Sequence, residues 1–170
     1  MDWLAMADSW GTTFPSDYIE FMVEYGSGGI SESFEVLLPN TPVLDGTSGM
    51  GQETANALAD WPAANTPTET RQLKPPVIAW GVNIVGDIAC WRTGEANPDR
   101  WTVVILRNRR RDPWTEYDCS MTEFLRRTFM GEWDKNPFGE DALWNLVPQE
   151  FIHRSEEFAD FDDENPWASL

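Results

Sequence analysis

The chain has 170 residues, of which 41% are apolar, so it is long enough to bury one sizeable hydrophobic core. Its 29 Asp and Glu residues outnumber its 12 Lys and Arg residues and give a formal net charge of -17. Such a charge repels phosphate backbones and anionic lipid surfaces, which argues against direct nucleic-acid binding and membrane binding. A charge of this size has two interpretations: it keeps the protein soluble and has no further role, or it attracts a basic protein partner.

The opening residues, MDWLAMADSW, lack the basic region that precedes the apolar stretch of a signal peptide. No apolar run approaches the roughly 20 residues that are needed to span a bilayer. We therefore expect a cytoplasmic protein without a membrane anchor. Thiols stay reduced in the cytoplasm, so we expect Cys90 and Cys119 to be free.

The segment FPSDYIEFMVEYGSGG predicts a first helix. Pro15 suits its opening turn, Asp17 lies near the positive end of its dipole, and Gly26 is placed to end it. Large apolar residues recur at helical spacing and predict one buried face, formed by Tyr18, Phe21, Met22 and Tyr25. The Gly-rich turn that follows leads into FEVLL, which is a predicted strand.

Residues 40–76 are the least regular part of the sequence and contain one helical candidate, ETANALADW. A strand from about Val77 to Val82, a turn at Gly86 and Asp87, and the segments IACWR and WTVVILR come next. Three β-rich runs separated by turn residues predict an antiparallel meander.

The middle strand of this meander is apolar on both faces. Alternation places Ile88 and Cys90 on one face and Ala89 and Trp91 on the other. A strand of this kind lies in the centre of a sheet that is covered on both sides. Cys90 is therefore predicted to be a small buried core residue.

The segment WTEYDCSMTEFLRRTFMG predicts a fourth strand of the meander and a final helix. Ser120 and Glu123 have the spacing of a capping box, and Gly131 is placed to end the helix. Its predicted buried face comprises Met121, Phe124, Leu125, Thr128 and Phe129. This order of elements predicts an α+β fold: a single domain with a mostly antiparallel central sheet and helices packed against it.

No arrangement of residues in the sequence indicates catalysis, a metal site or a cofactor. His153 is the only histidine and lies in a charged stretch. Cys119 precedes a helix, where a thiol can be activated, but Asp118 beside it opposes thiolate formation. DGTSGMG lacks the Lys-Ser/Thr ending of a phosphate-binding loop. An enzyme that uses Cys119 or His153 remains the alternative from another class.

The segment RNRRRD, residues 107–112, is the one basic run. In a chain this acidic we interpret it as a hairpin end that forms salt bridges with acidic neighbours, or as a contact for an acidic patch on a partner.

Three segments, in this order, resemble the SUKH superfamily, which includes bacterial immunity proteins and yeast regulators of cell-wall glucan synthesis. FPSDYIEFMVEYGSGGI is similar to the family's opening helix and Gly-rich turn, and VIAWGVNIVGDIACWR to its central strand, Gly-Asp turn and strand. WTVVILRNRRRDPWTEYDCSMTEFLRRTFMG follows with the expected strand, strand and helix. The resemblance covers about residues 10–152.

The resemblance implies an α+β binding scaffold without an active site. We expect a SUKH-like domain over residues 1–152, an acidic tail over residues 153–170, and an immunity function. The partner would be a cationic toxin domain, a nuclease or a nucleic-acid deaminase, neutralised by stoichiometric binding. A cytoplasmic regulatory or scaffold protein of the same superfamily is the alternative. The candidate toxin-binding residues are Glu95, Asp99, Glu156, Glu157, Asp160, Phe161, Asp162, Asp163, Glu164 and Trp167.

Overall fold

The computed structural model describes residues 2–39, 49–62, 75–111, 113–145 and 147–154. These residues form an antiparallel sheet with helices packed on it, which confirms the predicted α+β class. The helices are α1 (Trp3–Trp10), α2 (Ser16–Glu24), α3 (Met50–Asp60) and α4 (Met121–Phe129). The strands are β1 (Gly28–Ile30), β2 (Phe34–Val36), β3 (Val77–Asn83), β4 (Ile88–Arg92), β5 (Thr102–Leu106), β6 (Trp114–Tyr117) and β7 (Phe151–His153).

The seven strands lie in the order β6-β5-β4-β3-β2-β1-β7. Strands β3 to β6 form the predicted meander, β3 is the middle strand of the sheet, and β4 lies in the interior between β3 and β5. Trp91 of β4 is opposite Val103, and Cys90 is opposite Val104, so Trp91 and Cys90 occupy different faces as predicted. Both side chains are buried, and Cys90 is a core residue.

Helices cover both faces of the sheet. On the Trp91 face, Tyr18 of α2 packs edge-on against Trp91 with ring centroids 4.9 Å apart, and Phe124 of α4 packs edge-on against Trp80. On the Cys90 face, Thr54 of α3 accepts a hydrogen bond from the Ala79 N–H at 3.0 Å. This coverage accounts for central strands without a polar face.

The first predicted helix is confirmed as α2, which follows Pro15 and precedes Gly26 in a left-handed conformation with φ 72°. Tyr18 and Met22 are buried as predicted, but Tyr25 is 50% exposed. The ring of Tyr25 packs on Phe21 and on Phe151 of β7 instead of entering the core.

Sequence reasoning missed three elements, α1, β1 and β7. Helix α1 has a side-chain cap, because Asp2 Oδ1 accepts from the N–H groups of Leu4 and Ala5 at 3.1 Å. Strand β1 includes two glycines, a residue type that strands disfavour. The strand passes so close to β7 that a Cβ at Gly28 would lie 2.1 Å from the Ile152 carbonyl oxygen. Close backbone approach, rather than side-chain pattern, therefore selects glycine here.

Strand β7 extends one residue beyond the predicted domain boundary at residue 152. His153 is paired with Gly28 in the β1–β7 ladder, and the Arg154 N–H donates to the Ser27 carbonyl at 3.0 Å. The Arg154 guanidinium also forms an ion pair with Glu35 at 3.2 Å. His153 and Arg154 belong to the sheet edge, whereas residues 155–170 of the predicted tail lie outside the described residues.

None of the helices within the described ranges has the length and apolar character that crossing a bilayer requires.

The predicted capping box at the start of α4 is wrong. Ser120 is the N-cap residue, but its side chain makes no capping hydrogen bond, and Glu123 pairs with Arg126 at 2.9 Å. The cap comes from α2, where Asp17 Oδ2 accepts from the Thr122 N–H at 2.9 Å and from the Thr122 hydroxyl at 3.0 Å. An acid from a neighbouring helix thus replaces the local cap.

We expect D17A to destabilise the protein by about 1 kcal/mol and S120A to cost only a few tenths, because only Asp17 satisfies the α4 N-terminus. Urea unfolding of the two variants measures the difference. Equal losses in stability would contradict this assignment of the cap.

Asp87, in the turn between β3 and β4, joins three parts of the chain. It is 2% exposed, and its carboxylate accepts from the Asn108 N–H at 2.8 Å, the Gly139 N–H at 2.5 Å and the Asn83 amide at 3.2 Å. The Gly-Asp turn therefore ties the β3–β4 connection to the β5–β6 turn and to the segment after α4.

We expect D87A to lower the free energy of unfolding by about 2–4 kcal/mol, because it leaves several donors without the acceptor that they have in the fold. D87N, which keeps one acceptor oxygen, is the matched control and should lose less. Chemical denaturation measures both, and a D87A protein as stable as the parent would refute this role.

Candidate functional site

Of the ten predicted toxin-binding residues, only Glu95 and Asp99 lie in the described part of the chain. Both occupy the β4–β5 connection, which includes a short 3-10 helix at Pro98–Arg100, and both are exposed. The remaining eight, which lie outside the described residues, are Glu156, Glu157, Asp160, Phe161, Asp162, Asp163, Glu164 and Trp167.

Asp99 sits at the start of α2 and acts as its cap. Its Oδ1 accepts a hydrogen bond from the Ser16 N–H at 2.7 Å, and Pro15 at the N-cap position has no N–H or capping side chain of its own. Asp17 of the same helix caps α4. The Asp99 carboxylate thus joins the β4–β5 connection to α2, and the Asp17 carboxylate joins α2 to α4.

A pocket of about 210 Å³ opens between these three elements. Its lining residues include Trp91 and Trp101 and the two acidic residues Asp17 and Asp99. The other lining residues are Pro15, Ser16, Pro98, Ser120 and Met121. We call this the tryptophan pocket.

The two indoles are held by the core. Trp91 is 1% exposed and lies in ring contact with Tyr18, Phe14 and Trp101. Trp101 donates its indole N–H to the Glu95 carbonyl at 2.8 Å. The indole N–H of Trp91 is buried and has no hydrogen-bond acceptor among the described residues. The two tryptophans that line the pocket therefore have fixed positions.

The acidic field extends from the pocket along the start of α4. Burial raises the pKa of the Cys119 thiol to about 11; Arg127 acts against this rise, while the carboxylates of Glu123, Asp118 and Asp17 add to it. Cys119 is accordingly a protonated thiol at neutral pH, despite its place before a helix.

The other two side chains considered for catalysis, those of Cys90 and His153, are held in packed surroundings. Burial raises the pKa of Cys90 far above its ordinary value, with Glu53 adding to the effect. His153 lies in edge strand β7 against Gly26, where a Cβ would be 2.6 Å from its Nε2. Within the described ranges no three His, Cys, Asp or Glu side chains are grouped as metal ligands would be.

The basic run forms the end of the β5–β6 hairpin, as predicted. Among the described residues no carboxylate lies within 4.0 Å of the guanidinium groups of Arg107, Arg109, Arg110 and Arg111. Asp112, the acidic neighbour within the run, lies outside the described residues. Two clefts, of about 410 and 540 Å³, flank this turn.

Sequence reasoning identified Asp99 but missed its neighbours in the pocket. The sequence pattern places Asp17 only at the dipole of its own helix, and Trp91 and Trp101 only in the sheet. These residues meet through tertiary packing of three elements that are far apart in sequence. The one available local signal was Pro15, which leaves the start of α2 in need of an outside acceptor.

The sequence matches no protein-family model, and neither the curated proteins nor the solved structures contain a match to it. The resemblance to the SUKH superfamily therefore stays a prediction that rests on the quoted segments.

Cys119 should react with iodoacetamide about 100-fold more slowly near pH 8 than a thiol with the ordinary pKa of 9.0, because its pKa is about 11. The rate should climb as the pH rises toward that value. Mass spectrometry of the parent and of C119A assigns the label. Rapid labelling of Cys119 at neutral pH would contradict the raised pKa and would favour a role for this thiol as a nucleophile.

Proposed function

We propose that this chain is a cytoplasmic immunity protein that binds a cognate cationic toxin domain, a nuclease or a nucleic-acid deaminase, and blocks it stoichiometrically. The observation that carries the proposal is the tryptophan pocket with its two carboxylates. The order of the elements, which is similar to that of SUKH proteins, supports it as well.

The pocket has the size and chemistry of a receptor for one basic side chain. Its volume of about 210 Å³ is below the roughly 300–1,000 Å³ of sites that enclose a small molecule. Indole faces attract a guanidinium or ammonium group, and carboxylates accept its hydrogen bonds. A buried anchor of this kind contributes a large share of the energy of an interface.

The two carboxylates are positioned before a partner arrives. Each uses one oxygen to cap a helix, Asp99 for α2 and Asp17 for α4, so neither side chain has to be ordered on binding. A carboxylate has a second oxygen that accepts further hydrogen bonds. Because capping fixes both carboxylates, their remaining oxygens are already in place to accept hydrogen bonds from a cation.

The net charge of -17 supports a basic partner at longer range. A nuclease or a deaminase of nucleic acids presents basic groups to its phosphate-bearing substrate, and an acidic protein is attracted to that same surface. Such attraction accelerates encounter and weakens as salt is added. The occluded toxin surface would then be the substrate-binding one.

The proposal is tested by co-expression of the full chain with the C-terminal toxin domain of the secreted protein encoded beside it. We expect cell survival, co-purification at equal stoichiometry, and a complex whose affinity falls at raised salt. Full toxicity without complex formation would overturn the proposal for that neighbour. A cellular partner recovered in place of a toxin would favour the regulatory alternative.

The variant D99N tests the pocket itself. Asparagine keeps the oxygen that caps α2 but removes the charge, so the fold should be retained while toxin affinity falls about 10-fold to 100-fold. E32Q removes one charge from the β1–β2 turn, at the opposite end of the sheet, and is the matched control. Isothermal titration at fixed salt compares the two, and equal losses would show that only net charge matters.

A further inference from the structure

The arginine turn, defined as residues 107–111 at the end of the β5–β6 hairpin, has a fixed backbone. The Arg107 N–H donates to the Pro113 carbonyl at 2.8 Å. Asn108 donates its N–H to Asp87 at 2.8 Å and its side-chain amide to the Val85 carbonyl at 2.9 Å. Four arginines are thus presented from a turn that the rest of the fold holds in place.

These arginines form no ion pair with a carboxylate of the described residues, although the chain as a whole is acidic. The four ion pairs within the described ranges engage Arg92, Arg126 and Arg154 only. Like charges this close together repel one another unless an anion lies between them. The guanidinium groups of the arginine turn therefore have no ion-pair partner among the described residues, and the carboxylate that contacts the turn, Asp87, binds the Asn108 backbone N–H instead.

Arg107 provides a second, independent observation. Its Nε is buried and has no hydrogen-bond acceptor among the described residues. Buried donors are nearly always paired in folded proteins, and an unpaired one calls for an acceptor, which is an ordered water, a bound ion or a ligand. Arg107 lines both clefts beside the turn, so a bound group in either cleft is near it.

The larger cleft, of about 540 Å³, lies between the arginine turn and α3. Its lining includes the apolar residues Val82, Ile88 and Leu106, and α3 adds Asn56 and the two carboxylates of Glu53 and Asp60. The smaller cleft, of about 410 Å³, lies on the side of Val85 and Gly139. Arg107, Asn108, Arg109 and Arg110 belong to both.

We propose that the arginine turn and the larger cleft bind a phosphorylated small molecule, with its phosphate on Arg107, Arg109 and Arg110 and its remaining part against α3. Guanidinium groups bind phosphate oxygens in paired, charge-assisted hydrogen bonds. The cleft volume falls within the roughly 300–1,000 Å³ that small-molecule sites occupy.

The size of the ligand follows from the electrostatics. A long polyanion such as nucleic acid would extend past the turn into the field of a chain with net charge -17. A small anion experiences chiefly the charges within the Debye length of about 8 Å at physiological salt. Those that line the larger cleft are the guanidinium groups of Arg107, Arg109 and Arg110 and the carboxylates of Glu53 and Asp60, so positive charge is in excess there. The arrangement therefore selects a compact phosphate compound.

Isothermal titration of the full chain with ADP and with pyrophosphate tests the proposal, and adenosine serves as the probe without phosphate. We expect saturable binding of at least one phosphorylated probe and none of adenosine. The double variant R109Q/R110Q changes two exposed side chains and should lower the affinity about 10-fold to 100-fold. R100Q, an exposed arginine at the other end of the sheet, should leave the affinity unchanged.

Absence of binding by both phosphorylated probes, or equal loss of affinity in R100Q and R109Q/R110Q, would overturn the proposal. Thermal unfolding of each variant without ligand verifies that the fold is retained. These titrations need no toxin, so their result is independent of the proposed immunity function.

Discussion

The edge-on contact between Tyr18 of α2 and Trp91 of β4 sets the position of the helices on one face of the sheet. Both rings are buried, and the Tyr18 hydroxyl donates to the Leu37 carbonyl at 2.5 Å. Because the Tyr18 ring packs on Trp91 and its hydroxyl binds the Leu37 carbonyl, the rotation of α2 about its own axis is fixed. That rotation brings Asp17 to the start of α4 and places Ser16 within reach of Asp99. The core contact and the acidic pocket are consequences of one packing arrangement.

The two proposed sites lie at opposite ends of the same strands. The register of β4 and β5 pairs Arg92 with Thr102 at the end near the tryptophan pocket, and Ile88 with Leu106 at the end near the arginine turn. The five residues of β4 span about 14 Å at the rise of an antiparallel strand. At physiological salt this exceeds the Debye length of about 8 Å, so each site acts on its ligand with little interference from the other.

The sequence predicted features that depend on local pattern. Alternation along β4 assigned Cys90 and Trp91 to opposite faces, and glycine placement marked the ends of α2 and α4. The sequence did not predict features that depend on contacts between segments far apart in the chain. Asp17 took the capping role that local spacing gave to Ser120, and Gly28 lies in a strand because another backbone passes beside it. Such choices are made by contacts between distant segments, which a pattern along the chain does not contain.

The pairing of β7 with β1 has a consequence for how the protein is made. Residues 28–30 acquire this neighbour only when residues 151–153 exist, about 120 residues later in synthesis. At the usual 5–20 residues per second, that interval is roughly 6–25 s. During it β1 offers an open edge to other nascent chains. Its length of three residues, two of them glycine, makes it a poor template for such association until the last strand arrives.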